Sequence, residues 1–157
     1  MRKTLEAISL AALVLLLWIT WRALTGPGHL AGRIPTHFDL AGRPDGSGSP
    51  AMLLLLPAVA VLLYLLLGIV VRFPSAFNYP VPVTADNRPR LEALSLSMIA
   101  WLKAELICLF VWLQNLAIQA AKHPADGLHA GSFTIPASII LVFATIAWYI
   151  KAMRRAA

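Results

Sequence analysis

The chain has 157 residues, 59% of them apolar and 13% charged, with a net charge of +6 and a mean hydropathy of +0.75. Soluble domains are about half apolar and about a quarter charged, so this composition excludes an ordinary water-soluble domain and places the chain in the membrane class. The excess positive charge lies at the ends of apolar segments, which fits membrane topology and contact with anionic headgroups, and no motif for nucleic-acid recognition accompanies it.

The first apolar run, 5–24, follows Arg2 and Lys3 and closes on Trp18, Trp21 and Arg22. It is too long for the apolar part of a signal peptide and ends in an interfacial aromatic belt, so it is read as a retained spanning helix. Residues 25–50 form a polar, Gly- and Pro-rich loop. The second run, 51–71, carries no charge, and about 20 apolar residues suffice to cross a bilayer core. Pro57 should kink it, and the shared face of Pro57, Val61, Tyr64 and Gly68 offers another helix a close approach.

Residues 72–85 contain three prolines and are expected to lie extended along the headgroups. A long helix over 86–121 follows, with Thr84 or Asp86 as cap and Pro89 in its first turn. Residues 122–133 form a polar connection, and a last span over 134–150 ends in Trp148, Tyr149 and the basic residues Lys151, Arg154 and Arg155. The predicted fold is an all-α integral membrane bundle of four transmembrane helices, one domain over 1–157. One side carries Arg2, Lys3, Arg72, Arg88, Arg90, Lys151, Arg154 and Arg155, the other Arg22, Arg33, Arg43 and Lys122. This two-to-one bias puts both termini in the cytoplasm and the protein in the inner, cytoplasmic membrane, with loop 25–50 outside.

Three groups of residues are candidates for function. In the long helix Ser97, Trp101, Glu105, Cys108, Trp112, Asn115 and Gln119 recur at three- and four-residue steps. Polar groups in hydrocarbon are costly, so this stripe is expected to face the bundle interior, with Glu105 lining a cavity, a proton path or a partner contact, or bonded to a neighbouring helix's hydroxyl. Lys103, on the opposite face, is expected to snorkel to the cytoplasmic boundary. In the polar loop, His37, Asp39 and Asp45 form a feasible zinc set, which His29, His123 or His129 could complete; against that stands a structural loop in which His37 and Asp45 bond backbone groups and Asp45-Gly-Ser-Gly-Ser49 makes a turn. The third group is Asn78, Asn87 and Arg90 in and after the second loop. The single cysteine, Cys108, reads as a small buried hydrophobe. The P-loop, EF-hand, His-Glu-x-x-His and Gly-x-Ser-x-Gly patterns are missing, so no cofactor and no catalytic residue is expected.

Ile34, Pro35, His37 and Phe38, then Gly42, Asp45 and Gly46 ahead of an apolar run, resemble the hallmark of a domain of unknown function at the N-terminus of bacterial SdpI-type immunity and signal-transducing membrane proteins. Phe77 to Val81, Thr84 and Asn87, followed by a long helix with Lys103, are similar to stand-alone members that add two more helices. Such immunity proteins usually carry a further C-terminal membrane region, for which this chain is too short. The resemblance implies a non-enzymatic multi-pass protein that binds or senses a peptide, lipid or protein partner. Expected partners are membrane lipids, a peptide or protein, or further copies of the chain. Rival readings are an oligomeric transport or channel element using Glu105, an accessory subunit of a membrane complex, and a metal-dependent membrane enzyme using His37 and Asp39.

Overall fold

The computed structural model describes residues 1–39, 44–123 and 134–156. Its elements are α1 (Arg2–Thr25), β1 (Ile34–Phe38), β2 (Pro44–Gly48), a 3-10 turn over Pro50–Leu54 that runs into α2 (Leu55–Val70), a second 3-10 turn at Pro74–Ala76, α3 (Arg88–Lys122) and α4 (Thr134–Arg154). Four helical segments are long and apolar enough to cross a membrane. The connection at 124–133, with His129, lies outside the described residues, as do Gly42 and Arg43 of the polar loop.

The contacts set an alternating up-and-down order about α3. Along α1 the buried positions Leu5, Ser9, Leu13, Leu16, Thr20 and Ala23 recur every three or four residues, which keeps them on one helical face. Leu5 meets Ala100 and Ala104, Leu13 and Leu16 meet Ile107, and Ala23 meets Ile118, so α1 and α3 run parallel. The second span runs against them, with Leu53 beside Ile118 and Ala60 beside Ile107. α4 is also antiparallel to α3, because Thr145 reaches Glu105 while Tyr149 and Met153 pack on Leu91. Both termini and the 71–87 connection therefore gather at one end of the bundle, and the β1–β2 hairpin at the other.

Without a hydrophobic drive inside lipid, helices associate where small side chains let backbones approach and where polar groups find partners. Ala60, Ala100 and Ala104 fill the first role, each almost fully buried. Ala60, rather than Gly68, is the point of close approach on α2: a Cβ added to Gly68 would meet nothing within 4 Å. Pro57 sits in the first turn of α2, immediately after the 3-10 turn, so it marks a junction at the start of α2 rather than a kink within the span. A proline at this position cannot donate to the carbonyl four residues earlier. That carbonyl, on Leu53, takes its hydrogen bond from Nε2 of Gln114 on α3 at 2.9 Å instead.

At the other end, residues 72–85 lie on the surface as expected, without a continuous helix, and are tied to the bundle by the side chains of Tyr79 and Val81. Tyr79 donates to the Pro74 carbonyl at 3.1 Å, and Tyr79 and Val81 pack on Leu91, Tyr149 and Met153. Burial, and to a lesser degree the Glu92 carboxylate, push the Tyr79 phenol above its ordinary pKa. Thr84 and Asn87 bond reciprocally, the Thr84 N–H to Asn87 Oδ1 at 2.8 Å and the Asn87 N–H to Thr84 Oγ1 at 3.2 Å. This is the logic of a capping box, and it sets the entry to α3 with Pro89 in the first turn; Asp86 is exposed. α4 continues to Arg154, so Lys151 and Arg154 lie on the helix rather than on a tail beyond it. Tyr149 is buried and shares a 2.8 Å hydrogen bond with Ser97, whereas Trp148 is exposed.

Candidate functional site

The polar stripe of α3 lies at a different angle from the one its periodicity predicts. The interior face of α3 is Ala100, Lys103, Ala104, Ile107, Gln114 and Ile118, and α1 and the second span cover it. Trp101, Cys108, Trp112, Asn115 and Gln119 are exposed. The reason is steric: alanines admit a neighbouring backbone, whereas indole rings hold it off and settle against lipid. Glu105, half-buried, is at the border between the two faces.

That border is a groove of about 420 Å³ between α1, α3 and α4. Leu5 and Ile8 form one wall, Leu141 and Val142 the other, and Trp101, Glu105, Cys108 and Trp112 the floor. Thr145 on α4 donates its hydroxyl to Glu105 Oε1 at 2.6 Å. Oε2 of the same carboxyl group is buried and has no hydrogen-bond partner among the described residues. Asn115 and Gln119 line a second hollow of about 310 Å³ with Trp18, Arg22 and Lys122, where the Arg22 guanidinium lies 5.4 Å from the centre of the Trp18 ring.

Lys103 does not snorkel. It is 2% exposed, donates to Glu6 Oε2 on α1 at 2.7 Å, and lies 4.7 Å from the centre of the Tyr64 ring on α2. One cation thus ties three helices together, its charge met by a carboxylate and an aromatic face. Gln114, which periodicity did not single out, is fully buried. Besides Leu53, it donates to Thr20 Oγ1 at 2.9 Å, while the Thr20 hydroxyl donates to the Leu16 carbonyl at 2.7 Å. Gln114 Oε1 has no partner among the described residues. Two signals pointed to these residues: Lys103 shares its helical face with Ala100 and Ile107, and a proline early in a membrane helix demands a donor from elsewhere.

The polar loop is an antiparallel hairpin, with Ile34 opposite Gly48 and His37 opposite Gly46. Ile34 is 3% exposed and anchors it against Ala23, Leu53 and Ile118. Arg33 clasps the second strand, donating to Ser47 Oγ at 3.0 Å and to the Ser47 carbonyl at 2.6 Å. The glycines are there for clearance: a Cβ on Gly46 would stand 3.0 Å from that of His37, and one on Gly48 would stand 2.9 Å from Thr36 Cγ2. His37 Nδ1 meets Asp45 Oδ1 at 2.5 Å across the strands. The pair bond each other across the hairpin, and Asp45 sits in a strand rather than a turn. Their side chains are 75% and 46% exposed, so the contact orders a surface rather than a core. Among the described residues, no three His, Cys, Asp or Glu side chains are grouped to hold a metal ion; His37, Asp39 and Asp45 do not form such a set, and Asp39 is half-buried.

In the third group, Asn87 is buried and spends its side chain on the cap and on the Pro82 carbonyl at 3.0 Å, which makes it structural. Asn78 and Arg90 are exposed.

Residues 8–61, from the second turn of α1 to the middle of α2, match the model of a family described as a domain of unknown function (DUF1648). No curated protein and no solved structure matches the chain.

Proposed function

We propose that the chain is a non-enzymatic, SdpI-like protein of the inner membrane whose α1–α3–α4 groove takes up an apolar segment of a peptide or lipid from within the bilayer. The observation that carries this reading is Glu105. Glu105 lines a largely apolar groove, and one oxygen of its carboxyl group is buried and unpartnered among the described residues. An unfilled acceptor in hydrocarbon is costly, so a ligand bringing an N–H or O–H to Oε2 recovers that cost, while Leu5, Leu141 and Val142 receive its apolar body. The groove's lining residues Ile8, Trp101, Trp112 and Leu141 are exposed along the spans, so entry is from the membrane. The two-to-one excess of basic residues supports a cytoplasmic position for both termini and the 71–87 connection, with the hairpin outside as a second contact surface.

A photo-crosslinking amino acid at Val142, inside the groove, tests this in native membranes, with Ile140 on the exposed face of α4 as control. A discrete peptide or lipid adduct is expected at position 142 alone, weakened by Glu105→Ala. Identical adducts at both positions would mean that bulk lipid fills the groove, and the reading fails.

A further inference from the structure

We propose that an anionic phospholipid of the leaflet at the terminus-bearing end seats its phosphate between Arg90, Lys151 and Arg155. These three cations surround one hollow of about 270 Å³ between the start of α3 and the end of α4, with Leu94, Trp148 and Ala152 completing its lining. Among the described residues, no carboxylate lines it and none of the three cations has an ion-pair partner. The nearest acid in sequence to Arg90, Glu92, is committed elsewhere: its Oε1 stands 3.8 Å from Arg88.

Two further facts make the convergence more than the usual basic flank of a membrane helix. Lys151 complements the negative end of the α4 dipole, but Arg90 lies in the first turn of α3, which holds no acidic residue. A cation there opposes the positive helix end, so both the dipole and the side chains call for an anion. Below the cations the lining turns apolar at once, with Leu94 and the 60%-exposed Trp148 ring. This order, charge above and hydrocarbon below at a helix end, is that of a lipid standing in one leaflet. Half of a core of about 30 Å spans about ten helical residues, so a chain descending from Arg90 reaches the level of Trp101. The site owes nothing to Glu105 and stands or falls separately from the groove.

The test is native mass spectrometry of the full chain in detergent, titrated with phosphatidylglycerol and with phosphatidylcholine of the same acyl composition. Each basic residue near an anionic surface contributes roughly fivefold to binding. Phosphatidylglycerol should therefore be retained over phosphatidylcholine, and the triple variant Arg90→Gln, Lys151→Gln, Arg155→Gln should lose that preference. The variant Arg72→Gln, Arg154→Gln, which removes charges at the same end but outside the hollow, should keep it. Loss of the preference in both variants would reduce the effect to net charge and overturn the site. Displacement of the lipid by millimolar inorganic phosphate would mark a free-anion site instead and overturn the lipid assignment. No preference in the wild-type chain would overturn both.

Discussion

The trio of α1, α2 and α3 differs from the seam between α3 and α4 in what it does with polar groups. Inside the trio the donors are spent, although the Gln114 Oε1 acceptor has no partner among the described residues: Lys103 on Glu6 and the Tyr64 ring, Gln114 on Leu53 and Thr20, Ser9 and Thr20 on their own helix. At the seam Glu105 is half satisfied, and Arg90, Lys151 and Arg155 stand without ion-pair partners among the described residues. Burial grades in the same direction: 28% of the spanning window is buried in α1 and α3, 17% in the second span and 11% in α4. In a lipid solvent apolar area discriminates poorly between assembled and separated helices, so polar pairs show which contacts hold the bundle together and which surfaces remain for ligands.

Six substitutions probe that division. The largest effect is expected from Glu6→Ala. It strands a buried cation, and removing one partner of such a pair costs about 3 kcal/mol; thermal unfolding in mild detergent should show a drop of many degrees. Lys103→Met should cost clearly less, because Glu6 is 38% exposed and keeps access to solvent. If the two variants unfold alike, the lysine is not the costly member of the pair. Next is Gln114→Leu, which leaves the Leu53 carbonyl without a donor and should cost about 1–2 kcal/mol. Pro57→Ala restores an N–H four residues after Leu53, so the double variant should recover part of that loss; a purely additive cycle would break the link between the two residues. On the seam side, Glu105→Gln retains an acceptor for Thr145 and should shift stability by no more than about 0.6 kcal/mol, while altering the adduct formed at position 142. A large loss of stability would move Glu105 into the structural half. Smallest is His37→Ala, since an exposed pair contributes about 0–1 kcal/mol: the melting temperature should hold, and only protease protection of the hairpin should fall.

The four spans were legible because hydropathy and length are local properties, and so were Pro89 and the cap near Thr84. The hairpin was not. Pro35, Pro44, Gly46 and Gly48 all speak against strands by local preference, and only the pairing across the turn and the seating of Ile34 on the bundle make strands of them. The angular error on α3 has a similar origin. Helical periodicity identifies residues that share a face but not which face meets a neighbour; the decision lay with Ala60 on α2 and with Leu5 and Leu16 on α1, none of which is near α3 in sequence. The pairing of His37 with Asp45 likewise depends on strand register, which spacing alone leaves open.

The hydrogen bond from Gln114 to Leu53 also bears on how the protein is made. The acceptor is synthesised 61 residues before its donor, and Pro57 removes the N–H that would ordinarily serve it from its own helix. While only the first two spans have been delivered to the bilayer, the Leu53 carbonyl must be hydrated, which holds the start of the second span near the water boundary. Arrival of α3 releases that water and lets the segment settle. Biogenesis is thereby ordered: the second helix completes its insertion only with the third, and a ribosome stalled between them should leave the second span accessible to water-soluble probes at Leu53 and protected at Ala60.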